Sequence, residues 1–211
     1  MNIELVSFYS DVDDGTYYSD HAKRLISECE SLGIPFDIKE KQSEGSYQKN
    51  CLSKPRFLLE TLMTKKKPFI WMDIDSYLLK QPLVFEELTE LYDLAFVTSN
   101  GDLSGLKASP IMINMTPKAI YFLETWIQST ERVVENNGKH FDHEPLFMIV
   151  NMLQPQMNMA FLGKEFCAWP KEQNEKTVVM MGLSDVESKK ENLRAMGMSE
   201  DKIEWQSVGK L

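Results

Sequence analysis

Two closely spaced aspartates, Asp73 and Asp75, are the residues of this 211-residue sequence best suited to metal chemistry. They follow residues 69–72, a continuous apolar run that is typical of a central strand covered on both faces. Open α/β sheets bind their ligands outside the carboxyl ends of such strands. Alternate residues of an extended segment point to the same side, so both carboxylates can reach one hard divalent cation. That cation can hold a diphosphate and stabilise the charge on a departing nucleoside diphosphate.

The same D-x-D pattern also occurs at Asp11 and Asp13, and about one such match is expected by chance. Residues 13–15 read Asp-Asp-Gly, an ordinary turn signal, so we interpret the first pair as part of a turn. The alternative for Asp73 and Asp75 is that both are solvated turn formers. Their position at the end of a buried strand favours a function instead.

Residues 7–9, Ser7, Phe8 and Tyr9, end the first predicted strand and should lie near the two aspartates. Tyr9 can stack on a nucleotide base, and the alternative is a half-buried aromatic residue at a strand end.

The elements that position these residues alternate between strands and helices. Residues 3–8 and 34–38 are predicted strands, and the segment between them has helical spacing that ends at Gly33, a typical helix C-cap. This order predicts a parallel β-α-β unit and an α/β fold class. Further strands are predicted at 69–72, 94–97, 111–114, 161–162 and 178–181.

Helices are predicted by their apolar spacing and by their capping residues. Ser53 is expected to cap a helix that ends in three lysines before Pro68, and Thr116 is expected to cap another. Further helices are predicted at 83–91, 144–153 and from 184, and residues 129–141 are predicted to be a solvated loop or a frayed helix end.

The composition excludes several classes of protein. With 43% apolar and 26% charged residues, the chain is neither disordered nor fibrous. A net charge of -9 disfavours binding to nucleic acid and to anionic membranes. No apolar stretch approaches the roughly 20 residues of a membrane span, and no secretory signal is visible, so we expect no membrane insertion and a cytoplasmic location. The three cysteines show no C-x-x-C spacing and are expected to be buried thiols.

Residues 67–76, followed by Pro82 and Leu83, resemble the signature of the GT-A fold glycosyltransferases, in which an apolar strand leads into a D-x-D motif. Later segments resemble that family in the same order, at 92–97, 109–114, 116–126 and 142–146. The spacing is similar to that of small viral or bacterial sugar transferases, including enzymes that glycosylate chlorovirus capsids. The resemblance implies a GT-A (nucleotide-diphospho-sugar transferase) fold, with a Rossmann-like, mostly parallel central sheet flanked by helices. Residues 1–182 would form the catalytic domain, and residues 183–211 a C-terminal helix and tail on it, with a link to further domains of a longer polypeptide as an alternative.

The resemblance also implies a metal-dependent transfer of a sugar from a UDP-sugar to a hydroxyl of a glycan or glycoprotein acceptor, with Mn²⁺ or Mg²⁺ as the cofactor. Asp75 would be the principal metal ligand, and Asp73 would contact the ribose or the metal. The residues that would line the uridine pocket are Ser7, Phe8 and Tyr9.

Lys54 and Arg56 lie where such enzymes often place a basic residue on the nucleotide, although both can equally be solvated cations. Of the two, Arg56 has the stronger physical claim, because a guanidinium can grip a phosphate through two hydrogen bonds.

Three consecutive residues, Asp142, His143 and Glu144, are the candidates for the catalytic group on the acceptor side. Inverting transfer needs a general base within reach of the attacking hydroxyl. We favour Asp142 for this role, with His143 as a sugar contact or an alternative base and Glu144 as a second carboxylate. The alternative for Asp142 is that it only caps the helix that follows.

The sequence departs from the family pattern at one position. Many GT-A enzymes carry a late histidine on the metal, but residues 178–182 contain none, and no histidine follows His143. A metal held by Asp75, the diphosphate and water should bind weakly without nucleotide.

Two other functions remain open. An apolar strand ending in Asp-x-Asp-Ser also resembles the nucleophile motif of haloacid-dehalogenase phosphatases, with Asp73 as the nucleophile, although that motif normally opens its domain. The second alternative is a module that binds nucleotide sugars or glycans without turnover.

Overall fold

The computed structural model of the protein describes residues 1–11, 15–138 and 140–182. Its first elements are strand β1 (Glu4–Tyr9), helix α1 (Tyr17–Leu32) and strand β2 (Phe36–Glu40). Helix α1 ends at Gly33, whose φ of 64° lies in the left-handed region that glycine adopts easily. Strands β1 and β2 pair in parallel, which confirms the predicted β-α-β unit.

Two consecutive helices, α2 (Tyr47–Leu52) and α3 (Lys54–Lys65), lead to the central strand. The prediction that the Ser53 side chain caps a helix is wrong. Ser53 has helical backbone angles and connects α2 to α3, and its hydroxyl donates to the Asn50 carbonyl at 2.9 Å. The preceding helix supplies that carbonyl, so Ser53 does not stand at a free helix start.

The remaining elements follow the predicted order, except that the short strand Tyr77–Leu78 was not predicted. They are β3 (Phe69–Trp71), β4 (Tyr77–Leu78), α4 (Val84–Leu88), β5 (Leu94–Thr98), β6 (Leu106–Ile113), α5 (Pro117–Glu135), α6 (His143–Leu153), β7 (Met159–Leu162) and β8 (Val179–Met180). Thr116 caps α5 as predicted, since its hydroxyl accepts from the Ala119 amide at 3.1 Å. Helix α5 continues into the predicted polar segment 129–141. The predicted helix from residue 184 lies outside the described residues.

The central sheet has six strands in the order β2-β1-β3-β6-β5-β7, and β6 is the antiparallel strand among them. Strands β4 and β8 form a separate antiparallel pair. Helices α3, α5 and α6 cover one face of the sheet, and α1 and α4 cover the other. Strand β3 is therefore buried on both sides, with Phe69 and Trp71 facing the first layer and Ile70, together with Met72 just after the strand, facing the second.

This architecture is the expected α/β class with a mostly parallel sheet flanked by helices. It brings the carboxyl ends of β1 and β3 to one edge of the sheet, together with the start of the antiparallel strand β6. In the part of the chain that the structure describes, no helix is both long and apolar enough to cross a membrane.

Candidate active site

A cleft of about 250 Å³ lies at this edge of the sheet. Its walls come from the end of β1, the beginnings of α1, α3 and α6, helix α2, the segment after β3, the start of β6, Trp169 and the residues after β8. Of the residues singled out in the sequence, Phe8, Tyr9, Lys54, Asp73, Asp75, Asp142 and His143 line it. Residues more than 130 positions apart in sequence thus meet in one place.

The two aspartates of the second D-x-D motif lie on a turn. Strand β3 ends at Trp71, and the Ser76 amide donates to the Asp73 carbonyl at 3.0 Å, closing a four-residue turn. The predicted extended conformation of this segment is therefore wrong. The Asp73 amide donates to the Ser109 hydroxyl at 2.8 Å, and the Trp71 indole N–H donates to Asp73 Oδ1 at 3.1 Å. Both aspartates nevertheless line the cleft.

Helix α1 holds the turn from the other side. The Arg24 guanidinium donates to the Ile74 carbonyl at 3.4 Å and lies 3.7 Å from the centre of the Tyr77 ring. Glu28 accepts from Arg24 through one oxygen and from the Leu78 amide through the other, both at 2.8 Å. These contacts hold the backbone on both sides of Asp75, and no ion pair within the described part of the chain involves its carboxylate.

In the first D-x-D match, Asp11 has a structural role, whereas the predicted turn at residues 13–15 is not tested by the described residues. Asp11 Oδ1 accepts from the amides of Tyr18 and Ser19 at 2.9 and 3.0 Å, at the start of α1. This is a helix-capping arrangement, and Asp13 lies outside the described residues.

The residues after β8 pack against the turn that carries Asp75. Met181 and Gly182 line the cleft. A Cβ atom placed on Gly182 would lie 1.8 Å from the Asp75 carbonyl oxygen, so only glycine allows this close approach. Gly182 belongs to residues 178–182, where the family resemblance leads one to look for the late histidine.

Lys54 is a buried cation between two carboxylates. Its Nζ lies 2.8 Å from Asp73 Oδ1 and 2.5 Å from Asp142 Oδ2, and its side chain is 7% exposed. Burial lowers the pKa of Lys54, but Asp142 and Asp73 outweigh that effect and raise it above its ordinary value. Burial raises the pKa of Asp73, opposed by Lys54 and reinforced by the charges of Asp75 and Asp142. The lysine is therefore a permanent charge at the centre of the site.

Two predicted nucleotide contacts are not brought to the cleft. Arg56 is exposed and pairs with Glu131 of α5, so the preference for Arg56 over Lys54 is not supported. Successive residues of a helix point in different directions, and the sequence alone did not show which cation faces inward. Ser7 is fully buried within β1, and of residues 7–9 only Phe8 and Tyr9 line the cleft.

The three acceptor-side candidates have different environments. The Asp142 side chain makes no capping bond, and its carboxylate is 9% exposed and paired with Lys54. His143 Nε2 lies 2.5 Å from the Leu106 carbonyl, so this nitrogen carries the proton. Glu144 accepts from the Phe141 amide at 3.0 Å and is not part of the cleft wall. Asp142 and His143 are thus the candidates that a substrate in the cleft can contact.

The donor atoms of this site suit a hard divalent cation that a ligand helps to hold. Among the described residues, no cluster of three or more His, Cys, Asp or Glu side chains could hold a metal ion. Asp73 and Asp75 supply carboxylate oxygens, the ligands that Mn²⁺ and Mg²⁺ prefer, but Asp73 already contacts Lys54. Asp75 would therefore be the main protein ligand, and diphosphate oxygens and water would complete the coordination.

Several cleft residues were not found from the sequence. Tyr47, Asn50 and Cys51 come from α2, a helix that was not predicted, and Lys107 and Trp169 come from two further segments. Burial raises the pKa of the Cys51 thiol well above its ordinary value, so it remains protonated and is a poor nucleophile. No spacing rule links these residues, because the tertiary fold brings them together.

Comparison with known proteins supports the fold. No protein-family model and no curated protein matches the chain. Among solved structures, the chain is similar to a glycosyltransferase involved in the glycosylation of the major capsid of PBCV-1, with a TM-score of 0.66 and 10% sequence identity. The match covers 93% of this chain and all of the other. The protein has a glycosyltransferase fold. The predicted resemblance to capsid-glycosylating transferases is confirmed at the level of the fold.

Proposed function

We propose that this protein is a metal-dependent glycosyltransferase that moves a sugar from a UDP-sugar to a hydroxyl group of a glycan. The observation that carries the proposal is the cleft in which Asp73, Asp75, Lys54 and Asp142 meet beside Phe8 and Tyr9. A glycosyltransferase fold over nearly the whole chain supports the same reaction class. The composition argues against nucleic acid as the partner of an acidic protein.

The donor half of the site consists of β1 and the turn after β3. Phe8 and Tyr9 offer aromatic surfaces for the uracil base, and Phe8 is itself held by an edge contact with Phe57 and a tilted contact with Trp71. Asp75, assisted by Asp73, would hold Mn²⁺ or Mg²⁺ against the diphosphate. When bound, the cation would neutralise the charge of the departing UDP.

The acceptor half contains the proposed general base, Asp142. The Lys54 ammonium lies 2.5 Å from this carboxylate, which would take the proton of an acceptor hydroxyl. An inverting reaction is the outcome that such a base supports. His143 is oriented by the Leu106 carbonyl and is the alternative group, whereas Glu144 faces the loop at Phe141.

Calorimetric titration with UDP, with and without MnCl₂, tests the donor site. We expect wild-type protein to bind UDP more tightly with Mn²⁺ and Asp75→Ala to lose that gain, because Asp75 would be the principal metal ligand. Glu90→Gln is a matched control, since Glu90 is an exposed carboxylate outside the cleft. No UDP binding by the wild type, or an undiminished Mn²⁺ effect in Asp75→Ala, would contradict the proposal.

Turnover separates the proposed enzyme from its alternatives. In a screen of UDP-sugars with glycan acceptors, we expect product from wild-type protein and none from Asp142→Asn, which should still bind UDP. UDP binding without turnover of any donor would indicate a binding module. Metal-dependent hydrolysis of an aryl phosphate that is abolished by Asp73→Asn would indicate a phosphatase.

A further inference from the structure

Trp169 and Lys107 form one wall of the cleft that neither the donor half nor the proposed base uses. The Lys107 ammonium lies 5.7 Å from the centre of the Trp169 ring, and both residues line the cavity. Among the ion pairs formed by the described residues, none involves Lys107. Its charge and its three N–H donors are therefore not committed to a carboxylate of the described chain.

The backbone on both sides of Trp169 is held firmly. The Met181 amide donates to the Ala168 carbonyl at 2.8 Å, and the Ala168 amide donates to the Val179 carbonyl at 3.2 Å. On the other side, the Glu172 amide donates to the Trp169 carbonyl at 2.8 Å. The backbone that carries the Trp169 indole is thus fixed by hydrogen bonds. Because a rigid aromatic side chain loses little conformational entropy when a ligand packs on it, such a residue suits ligand binding.

The wall adjoins the acceptor half of the cleft. Lys107 lies between Leu106, whose carbonyl contacts His143, and Ala108, whose carbonyl lies 3.5 Å from Lys54 Nζ. The strand that carries Lys107 is separated from β1, with Phe8 and Tyr9, by the central strand β3. On the sheet, Lys107 is therefore flanked by residues that contact the acceptor half, and it lies two strands from the aromatic residues proposed for uracil.

We propose that Trp169 and Lys107 are the acceptor subsite and that the group they bind is a pyranose ring. This inference rests on the proposed transferase function. A pyranose has an apolar C–H face that packs against an indole, and a rim of hydroxyls that accept hydrogen bonds from an ammonium group. A serine or threonine side chain offers neither a ring face nor several hydroxyls, so this wall selects a sugar acceptor over a protein side chain.

The test uses the whole protein saturated with UDP and MnCl₂. Methyl pyranosides of glucose, galactose, mannose and rhamnose are titrated separately by saturation-transfer NMR, with N-acetylserinamide as the non-sugar hydroxyl. We expect at least one pyranoside to saturate and N-acetylserinamide not to bind. In Trp169→Ala the affinity for that pyranoside should fall about tenfold, which corresponds to about 1.4 kcal/mol. Trp169→Phe should retain part of the affinity, and Lys107→Met should show a smaller loss than Trp169→Ala.

Tyr121→Ala and Lys118→Met are matched controls, because both residues are exposed on α5 and lie outside the cleft. UDP affinity, measured in parallel, shows that each variant is folded. Pyranoside affinity that is unchanged in both Trp169 variants, or the absence of pyranoside binding in wild-type protein that binds UDP, would overturn the subsite. An equal fall in UDP affinity would assign the wall to the donor instead. Failure of the wild type to bind UDP at all would count against the proposed function.

Discussion

The two halves of the cleft hold their carboxylates in opposite ways. Asp75 lies on a turn whose backbone is held by Arg24, Glu28 and Gly182, and no ion pair among the described residues involves its half-buried carboxylate. The Asp142 carboxylate is almost completely buried and lies 2.5 Å from the Lys54 ammonium. One carboxylate is positioned through its backbone and the other through its charge.

This difference matches what each half is proposed to do. A carboxylate that captures a cation from solution must remain accessible and keep its negative charge uncompensated. A carboxylate that acts as a base in a closed pocket needs a partner that keeps it ionised away from water. Asp73 belongs to both halves, since it lies beside Asp75 on the turn and also contacts Lys54.

The largest effect on stability is expected when the positive charge of Lys54 at the centre of the cleft is removed. Lys54→Met should lower the free energy of unfolding by about 3–5 kcal/mol, because it leaves the buried Asp142 and the partly exposed Asp73 without their cation. Urea denaturation measures this change. Arg56→Met, two residues along the same helix, breaks only an exposed pair with Glu131 and should change stability by about 1 kcal/mol or less. Equal effects of the two substitutions would show that Lys54 is not a buried ion-pair partner.

An intermediate effect on stability and on UDP binding is expected when a side-chain atom is placed against the backbone of Asp75. Gly182→Ala places a Cβ atom where the Asp75 carbonyl oxygen lies, and we expect a loss of about 1–3 kcal/mol in stability and weaker Mn²⁺-dependent UDP binding. Gly163→Ala is the control, because a Cβ there meets only the end of the flexible Glu165 side chain. Its stability should change by less than about 1 kcal/mol. Unaltered UDP binding in a folded Gly182→Ala protein would separate this contact from the function of Asp75.

The smallest effect is expected on UDP affinity, when the turn that carries Asp75 loses its contacts with α1. Arg24→Met removes the hydrogen bond to the Ile74 carbonyl, the contact with Tyr77 and the ion pair with Glu28. The affinity for UDP with Mn²⁺ should fall about five- to tenfold, which is about 1 kcal/mol, while UDP binding without metal should change less. Lys23→Met tests a neighbouring cation that pairs with the exposed Asp20, and it should match the wild type. A loss of equal size with and without Mn²⁺ would argue that Arg24 does not act through Asp75.

Much of the fold could be predicted because its signals are local. The apolar run at 69–72, the glycine after α1 and the Thr116-Pro117 pair each depend on neighbouring residues, and each is confirmed by the structure. The error at Ser53 has a local cause as well, since the short helix α2 before it has too few residues to show a clear apolar period.

The candidate site could be predicted only in part. Asp73, Asp75 and Asp142 were found because a motif or an acidic cluster marks them. Lys107 and Trp169 stand in no such pattern, and the sequence could not decide between Lys54 and Arg56, which differ in burial and not in type.

By itself, the sequence determined the α/β class, the strand order along the chain and the aspartates at the end of the central strand. Periodicity, capping and turn residues encode these features within a few neighbouring positions. Only the tertiary structure decided that Lys54 lies between Asp73 and Asp142, that Gly182 lies against Asp75 and that Trp169 faces Lys107. These contacts join residues far apart in the chain, so they exist only after the sheet and its helix layers have packed.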